Sequence, residues 1–197
     1  LNMVDINQIR TIDINASFEQ LEPRDYFASS LRVLRRYGCV PKMGYNIFIT
    51  GDIPINSGTS SSSALLMAWI NFLIMAFGID EEVTPELISK IGYESEVLEH
   101  GEPGGMMDHF SIGVGNIVYI DTKGPFSHKV IGGQIKGLIT GVSGVPKETI
   151  GLIGEIKSNA LMAIDMVKQN FPNFDLNTCD IGDIDRCKNC LQDRLIP

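Results

Sequence analysis

The chain reads as an α+β protein, with helices and strands mingled but without the regular β–α–β–α order of a doubly wound parallel sheet. Three observations predict this. The β-branched and aromatic run Tyr45-Asn46-Ile47-Phe48-Ile49-Thr50 reads as a strand, and an almost wholly apolar helix through Ala64 to Phe77 follows it. Two further strand-like runs, 112–121 and 136–142, succeed one another directly. Helical patterns flank them at 23–37, 84–100 and 148–170.

Taken in order, residues 1–17 alternate Asp and Asn with Val4, Ile6, Ile9, Ile12 and Ile14, the pattern of one or two exposed strands. Pro23 to Tyr37 is helical and stops at Gly38. After the strand at 45–50 come a small-residue loop, 54–62, and a helix over 61–77. The next helix carries its own start signal, Thr84 as cap and Pro85 at the first helical position, and runs to His100. Leu87, Ile88, Ile91 and Leu98 form its apolar stripe, and Gly101 to Gly105 turns the chain back. Glu148 to Asn170 is a long amphipathic helix carrying Ile150, Ile153, Ile156, Leu161, Ile164 and Val167. Residues 173–185 are polar and turn-rich, and the last residues look helical.

A net charge of −8 disfavours nucleic acid or an anionic membrane as partner, because phosphate backbones are held by basic surface. It does not oppose nucleotide binding through backbone groups and a divalent cation. Residues 1–10 have neither a basic start nor a long apolar run, so no signal peptide is expected. The apolar run from Ala64 covers 14 residues and includes Asn71, too short for a membrane span and suited to a buried helix. Of the four cysteines, Cys187-x-x-Cys190 has no second pair and no following histidine. Two reduced cysteines on one helix face, in a reducing cytoplasm, fit this better than a zinc site.

The stretch Pro54-Ile55-Asn56-Ser57-Gly58-Thr59-Ser60-Ser61-Ser62-Ser63-Ala64 holds the chemistry. Small residues opening a helix leave backbone N–H groups converging where the helix dipole is positive, with hydroxyls ready for phosphate or a metal. No G-x-x-x-x-G-K-[ST] phosphate loop is present. A flexible Ser/Gly linker and a multiply capped helix start are the competing readings. A linker fits poorly between two strongly apolar flanks, which favours the phosphate site.

Pro54, Gly58, Ser60, Ser61 and Ser62 together resemble the second motif of the GHMP kinases, the family of galactokinase, homoserine kinase, mevalonate kinase and phosphomevalonate kinase. Gly104-Gly105-Met106-Met107-Asp108-His109-Phe110 looks like the galactokinase G-[IM]-M-D-Q-F segment. More faintly, Pro23 to Phe27 with Leu31 to Leu34 resembles the W-x-[ND]-Y-x-x-G helix of galactokinases. The resemblance implies a fold like ribosomal protein S5 domain 2 over residues 1–130, then the start of a ferredoxin-like domain over 131–197. It implies Asp108 as the catalytic residue and Asn56, Ser57, Gly58, Thr59, Ser60, Ser61 and Ser62 as the cradle for ATP. Glu96, twelve residues before Asp108, stands where the family carries a magnesium-binding glutamate, so Mg²⁺ falls to Ser62 and Glu96. A helix–turn unit can return Asp108 towards the level of Glu96, and two carboxylates by a serine-rich helix start make a hard-oxygen site. Read without the family, Glu96 belongs to a solvated face with Glu94, Glu99 and Glu102, and Asp108 to a turn or cap.

The pattern also departs from the family. Thr59 stands for leucine, Ser63 for alanine and His109 for glutamine, and the first motif, G-R-x-N-[LIV]-I-G-E-H-x-D-Y, is missing. Ile131-Gly132-Gly133 is too early and too short for the Gly-rich third motif, and the Tyr-Asn-x-Arg after the catalytic segment is missing too. The chain is therefore expected to be a piece of a longer enzyme, inactive alone. The implied activity is ATP-dependent phosphorylation of a small sugar, galactose or a relative, at its anomeric hydroxyl. A mevalonate-type kinase and a non-catalytic sugar or nucleotide sensor on the same scaffold are the alternatives.

Overall fold

A computed structural model of the chain describes residues 1–55, 57–122, 126–133, 135–137, 139, 141 and 150–191, without the side chains of 150, 152 and 184. Two compact units result, one from Leu1–Asp121 with Ser127–Lys147, the other from Thr122–Phe126 with Glu148–Pro197. The architecture is mixed helix and sheet, in keeping with the α+β class.

The first unit begins with two short strands, β1 (Asn2–Met3) and β2 (Gln8–Ile9), joined through a 3₁₀ turn. They pair antiparallel, and β1 pairs parallel with β3 (Phe48–Ile49), giving the order β2-β1-β3. Strand β3 is shorter than the 45–50 run predicts. Tyr45 turns its ring edge-on to Phe72 and Phe77 instead, with centroids 5.4 and 5.9 Å away.

Helix α1 (Tyr26–Arg36) starts three residues later than Pro23, because Asp25 is its cap: the carboxylate accepts from the Ala28 N–H at 3.0 Å. Arg35 and Arg36 close it where the dipole favours cations. The chain leaves through Gly38 at φ +81°, where a Cβ would stand 2.1 Å from the Asp80 carboxylate, so both conformation and space demand glycine. Helix α2 (Ser61–Phe77) runs over the predicted residues and buries Leu66, Met67, Trp69, Ile70, Leu73 and Ile74. It packs on α1 around Leu31, Val33 and Leu34, and the Trp69 indole N–H donates to Ser30 Oγ at 2.9 Å.

Helix α3 (Pro85–Tyr93) has the expected cap, Thr84 Oγ1 accepting from the Leu87 N–H at 3.1 Å. It does not continue as α-helix to His100. Residues Glu94–Leu98 form a π-turn, in which the Glu99 N–H reaches back to the Glu94 carbonyl at 2.9 Å. The Ser95 carbonyl is left for Ser29 Oγ of α1, 2.8 Å away. Leu98 therefore leaves the predicted stripe and is exposed, while Ser95, Glu96 and Val97 are buried.

The predicted strand at 112–121 is half helix. Helix α4 (Met107–Val114) takes its first part, Gly115 and Asn116 at φ +70° and +59° end it, and β4 (Ile117–Asp121) takes the rest. Gly113 made this stretch look unhelical, yet it serves contact: a Cβ there would lie 2.1 Å from Ser89 Oγ on α3. β4 pairs antiparallel with β5 (Ser127–Ile131), which the sequence did not reveal. The strand expected at 136–142 lies partly outside the described residues, and 136, 137, 139 and 141 are in no strand.

In the second unit α5 (Ile150–Asn170) is followed by α6 (Ile181–Cys187), inside the stretch expected to be turns. Among the described side chains of the α5 stripe only Val167 is buried, while Ile153, Ile156 and Leu161 are exposed. All four cysteines are free thiols, but Cys187 ends α6 and Cys190 lies in the following 3₁₀ turn, not on one helix face. Of the helix expected after 185, α6 supplies the part to Cys187 and a 3₁₀ turn covers Lys188–Cys190, while 192–197 lie outside the described residues. Among the described residues no helix is long and apolar enough to cross a membrane.

The π-turn separates two leucine-sized positions that a continuous helix would treat alike. Ile91→Ala should cost about 2–5 kcal/mol, and Leu98→Ala no more than about 0.5 kcal/mol. Urea unfolding followed by fluorescence of the single tryptophan, Trp69, measures both. Equal costs would contradict the turn.

Candidate active site

The loop before α2 closes on itself. Ser57 Oγ donates to the Pro54 carbonyl at 2.8 Å and lies 2.9 Å from Thr59 Oγ1, which is 3.4 Å from the same carbonyl. Gly58 sits at φ +81° in this turn. Ser60 is the N-cap residue in left-handed conformation, and its side chain makes no capping bond. The first-turn amides of α2 are thus not claimed by the hydroxyl that would ordinarily take them. Asn56 lies outside the described residues.

Open clefts flank that first turn. One, about 760 Å³, sets Arg10, Arg24 and Asp25 beside Ser62 among apolar neighbours that include Ile9, Phe27 and Leu65. The other, about 380 Å³, is lined by Ile6, Ile49, Ile53, Ile55 and Ala68 beside Ser61. Successive serines of one turn therefore face different surroundings.

Behind the turn sits a buried polar cluster. Glu96, presented by the π-turn, accepts from Ser63 Oγ at 2.7 Å, and His109 Nε2 of α4 lies 2.8 Å from the same oxygen, Oε2. Exposures of 7% for Glu96 and 2% for each partner place all three out of water. Burial by itself pushes the Glu96 carboxyl up, but hydrogen bonds from His109, Ser63 and Ser62 outweigh it and hold the group below the ordinary carboxylate value. With Nε2–H donating, His109 keeps Nδ1 as a bare acceptor, and among the described residues that atom has no partner. Room for the imidazole comes from Gly92, where a Cβ would be 2.6 Å from Met67 Sδ and 3.1 Å from His109 Cδ2.

The neighbouring glutamates are not a solvated face either. Glu94 accepts from the Tyr37 hydroxyl at 3.0 Å, Glu102 from the Tyr26 hydroxyl at 2.7 Å, and Glu99 pairs with Arg32 at 2.9 Å and with Arg36. The π-turn is thereby riveted to α1 on one side while Glu96 faces α2 and α4 on the other.

Ser62, read with Glu96 as a pair in the sequence, lies one residue before Ser63, whose hydroxyl donates to the Glu96 carboxylate. Asp108 is half-buried in the first turn of α4, one residue from His109, and among the described residues takes no hydrogen bond or ion pair. Its carboxylate oxygens are free to accept. Ser63 and His109 carried no role in the sequence reading. The available signal was that both depart from the motifs that place their neighbours.

Residues 25–116 match the family described as GHMP kinases N terminal domain. The chain is similar to a galactokinase of Limosilactobacillus reuteri, 34% identical over 123 residues, covering 58% of this chain and 31% of that protein. It is similar to a mevalonate kinase of Thermococcus sibiricus, 34% identical over 117 residues, covering 59% and 33%. A mevalonate kinase of Pyrococcus furiosus is 27% identical over 139 residues, covering 67% and 39%. The chain thus spans about a third of the length of these curated relatives. No solved structure matches it.

A carboxyl held below its ordinary value adds stability that is present above that value and disappears as pH falls through the folded one. The stability gap between this chain and its Glu96→Gln variant should therefore be widest near neutrality and narrow below about pH 4.5, the ordinary carboxyl value. Urea titrations at stepped pH measure it. A gap independent of pH would mean the carboxylate's charge contributes nothing.

Proposed function

We propose that the protein, whose residues 25–116 match the GHMP kinase N-terminal domain family, transfers the terminal phosphoryl group of ATP to a sugar hydroxyl, that of galactose or a related sugar at its anomeric position. The observation carrying this reading is the convergence of Ser63, Glu96 and His109 behind the first turn of α2, which holds Ser62 and has no side-chain cap, one residue from an Asp108 that is unpaired among the described residues. Phosphoryl transfer asks a protein chiefly to position groups and neutralise charge, and these parts suit it.

In this reading the turn at Asn56 to Ser62 cradles the triphosphate, through the backbone amides more than the hydroxyls of Ser57 and Thr59, which are engaged with Pro54. Ser62 and Glu96 hold Mg²⁺. Their oxygens are the hard donors this ion takes, and an ion that keeps phosphate oxygens needs only one or two protein carboxylates. When bound, the ion screens the charge of the phosphates. Asp108 orients the sugar hydroxyl and accepts its proton as the oxygen bonds to the γ-phosphorus and the bond to ADP breaks. Residues 1–130 would form the N-terminal kinase domain and 131–197 the opening of a ferredoxin-like one, in a cytoplasmic enzyme.

A mevalonate-type kinase is the second reading, favoured by the equal identity of the chain to a mevalonate kinase and a galactokinase. ADP release by the full-length protein over a panel of sugars and mevalonate separates the two. Turnover of mevalonate alone overturns the sugar assignment. Nucleotide- or sugar-induced stabilisation with no ADP release would instead indicate a sensor.

Asp108→Asn keeps the size of the side chain and removes the proton acceptor. Turnover should fall by roughly two to four orders of magnitude with nucleotide affinity little changed. Glu96→Gln should raise the Mg²⁺ requirement, and added Mg²⁺ should restore part of the rate. Near-normal turnover of Asp108→Asn ends its catalytic assignment.

A further inference from the structure

We infer that Ser63 and His109 are positioning residues for the Glu96 carboxylate, fixing one oxygen so that the side chain is offered to the Mg²⁺–nucleotide in a single orientation. This rests on the kinase reading above. Both side chains reach the same atom, Oε2, from different helices, at 2.7 Å from α2 and 2.8 Å from α4. A carboxylate swings about its terminal torsion unless something holds it, and two donors on one oxygen remove that freedom. Both of these bonds fall on Oε2, so they leave the other carboxylate oxygen, Oε1, its accepting capacity.

Three features say the arrangement is built for orientation and not for stability alone. Glu96 projects from a π-turn, a departure from helix that recurs at functional sites. His109 leaves Nδ1 buried without a partner among the described residues, a penalty that an apolar side chain of like size would avoid. Gly92 provides the space for the ring beside Met67. Ser63 and His109 are also two of the positions at which the sequence departs from the family motifs, and in the fold the two departures meet on one atom. Ser63 thus supplies a hydroxyl donor that an alanine would lack.

The test uses the full-length protein and a non-hydrolysable ATP analogue, titrated by calorimetry with and without Mg²⁺, next to thermal melts. Ser63→Ala and His109→Leu should each weaken the Mg²⁺-dependent part of binding about 10- to 100-fold, leaving metal-free nucleotide binding unchanged. The double variant should lose less than the product of the single losses, because both donors act on one oxygen. His109→Gln keeps an N–H donor and should retain most of the binding. These outcomes support the inference, with Glu96→Gln as the comparator for full loss. Unchanged Mg²⁺ dependence in Ser63→Ala and His109→Leu overturns it while leaving the kinase reading intact, as does a fall in melting temperature with no change in that dependence. Absence of Mg²⁺-dependent nucleotide binding in the unmodified protein instead removes the kinase reading, and the inference with it.

Discussion

A carboxylate withdrawn from water loses several kcal/mol of hydration, and hydrogen bonds must replace it. For Glu96 those bonds come from Ser63 on α2 and His109 on α4, so its burial holds only while α2, the π-turn and α4 keep their places. That requirement reaches outward. The π-turn is held to α1 by Ser29 on the Ser95 carbonyl and by Arg32 and Arg36 on Glu99. Helix α1 is held to α2 by Leu31, Leu34 and the Trp69–Ser30 bond. The position of the α2 first turn follows from the same set of contacts.

The polar interior and the apolar core divide the work along α2. From Leu66 onward the helix is an apolar post packed against α1 and α3, with Met75 among its exposed positions. Its first turn is hydroxyl-rich, with Ser61 and Ser62 in separate clefts and Ser63 turned inward to Glu96. One helix start thus meets solvent on two sides and a charge on the third. A rigid post behind a polar tip is what phosphoryl transfer needs, since misplaced phosphates forfeit much of the rate that positioning supplies.

Several features were legible in the sequence because their causes are local. The bounds of α2, the Thr84 cap with Pro85, and the stop of α1 at Gly38 follow from side chains acting on their own backbone within a few residues. The serine-rich loop and the Gly-Gly-Met-Met-Asp segment were recognisable from order and spacing.

Other features were decided by contacts between distant residues. Composition cannot show that the helix after Pro85 widens at Glu94, because the carbonyl it frees is claimed by Ser29, 66 positions away. The same shift exposes Leu98 and buries Glu96. Tyr45 left its strand for Phe72 and Phe77, and Gly113 stayed helical because Ser89 stands against it. Local propensity amounts to a few tenths of a kcal/mol per residue, and a buried charge or a close helix contact to several times that. The sequence by itself therefore determined the helices with strong local signals, α1, α2, the start of α3 and α5, and the motifs that lie along them, but not α4 or α6. The tertiary structure decided where those segments bend and which side chains face inward, since burial outweighs propensity wherever the two disagree.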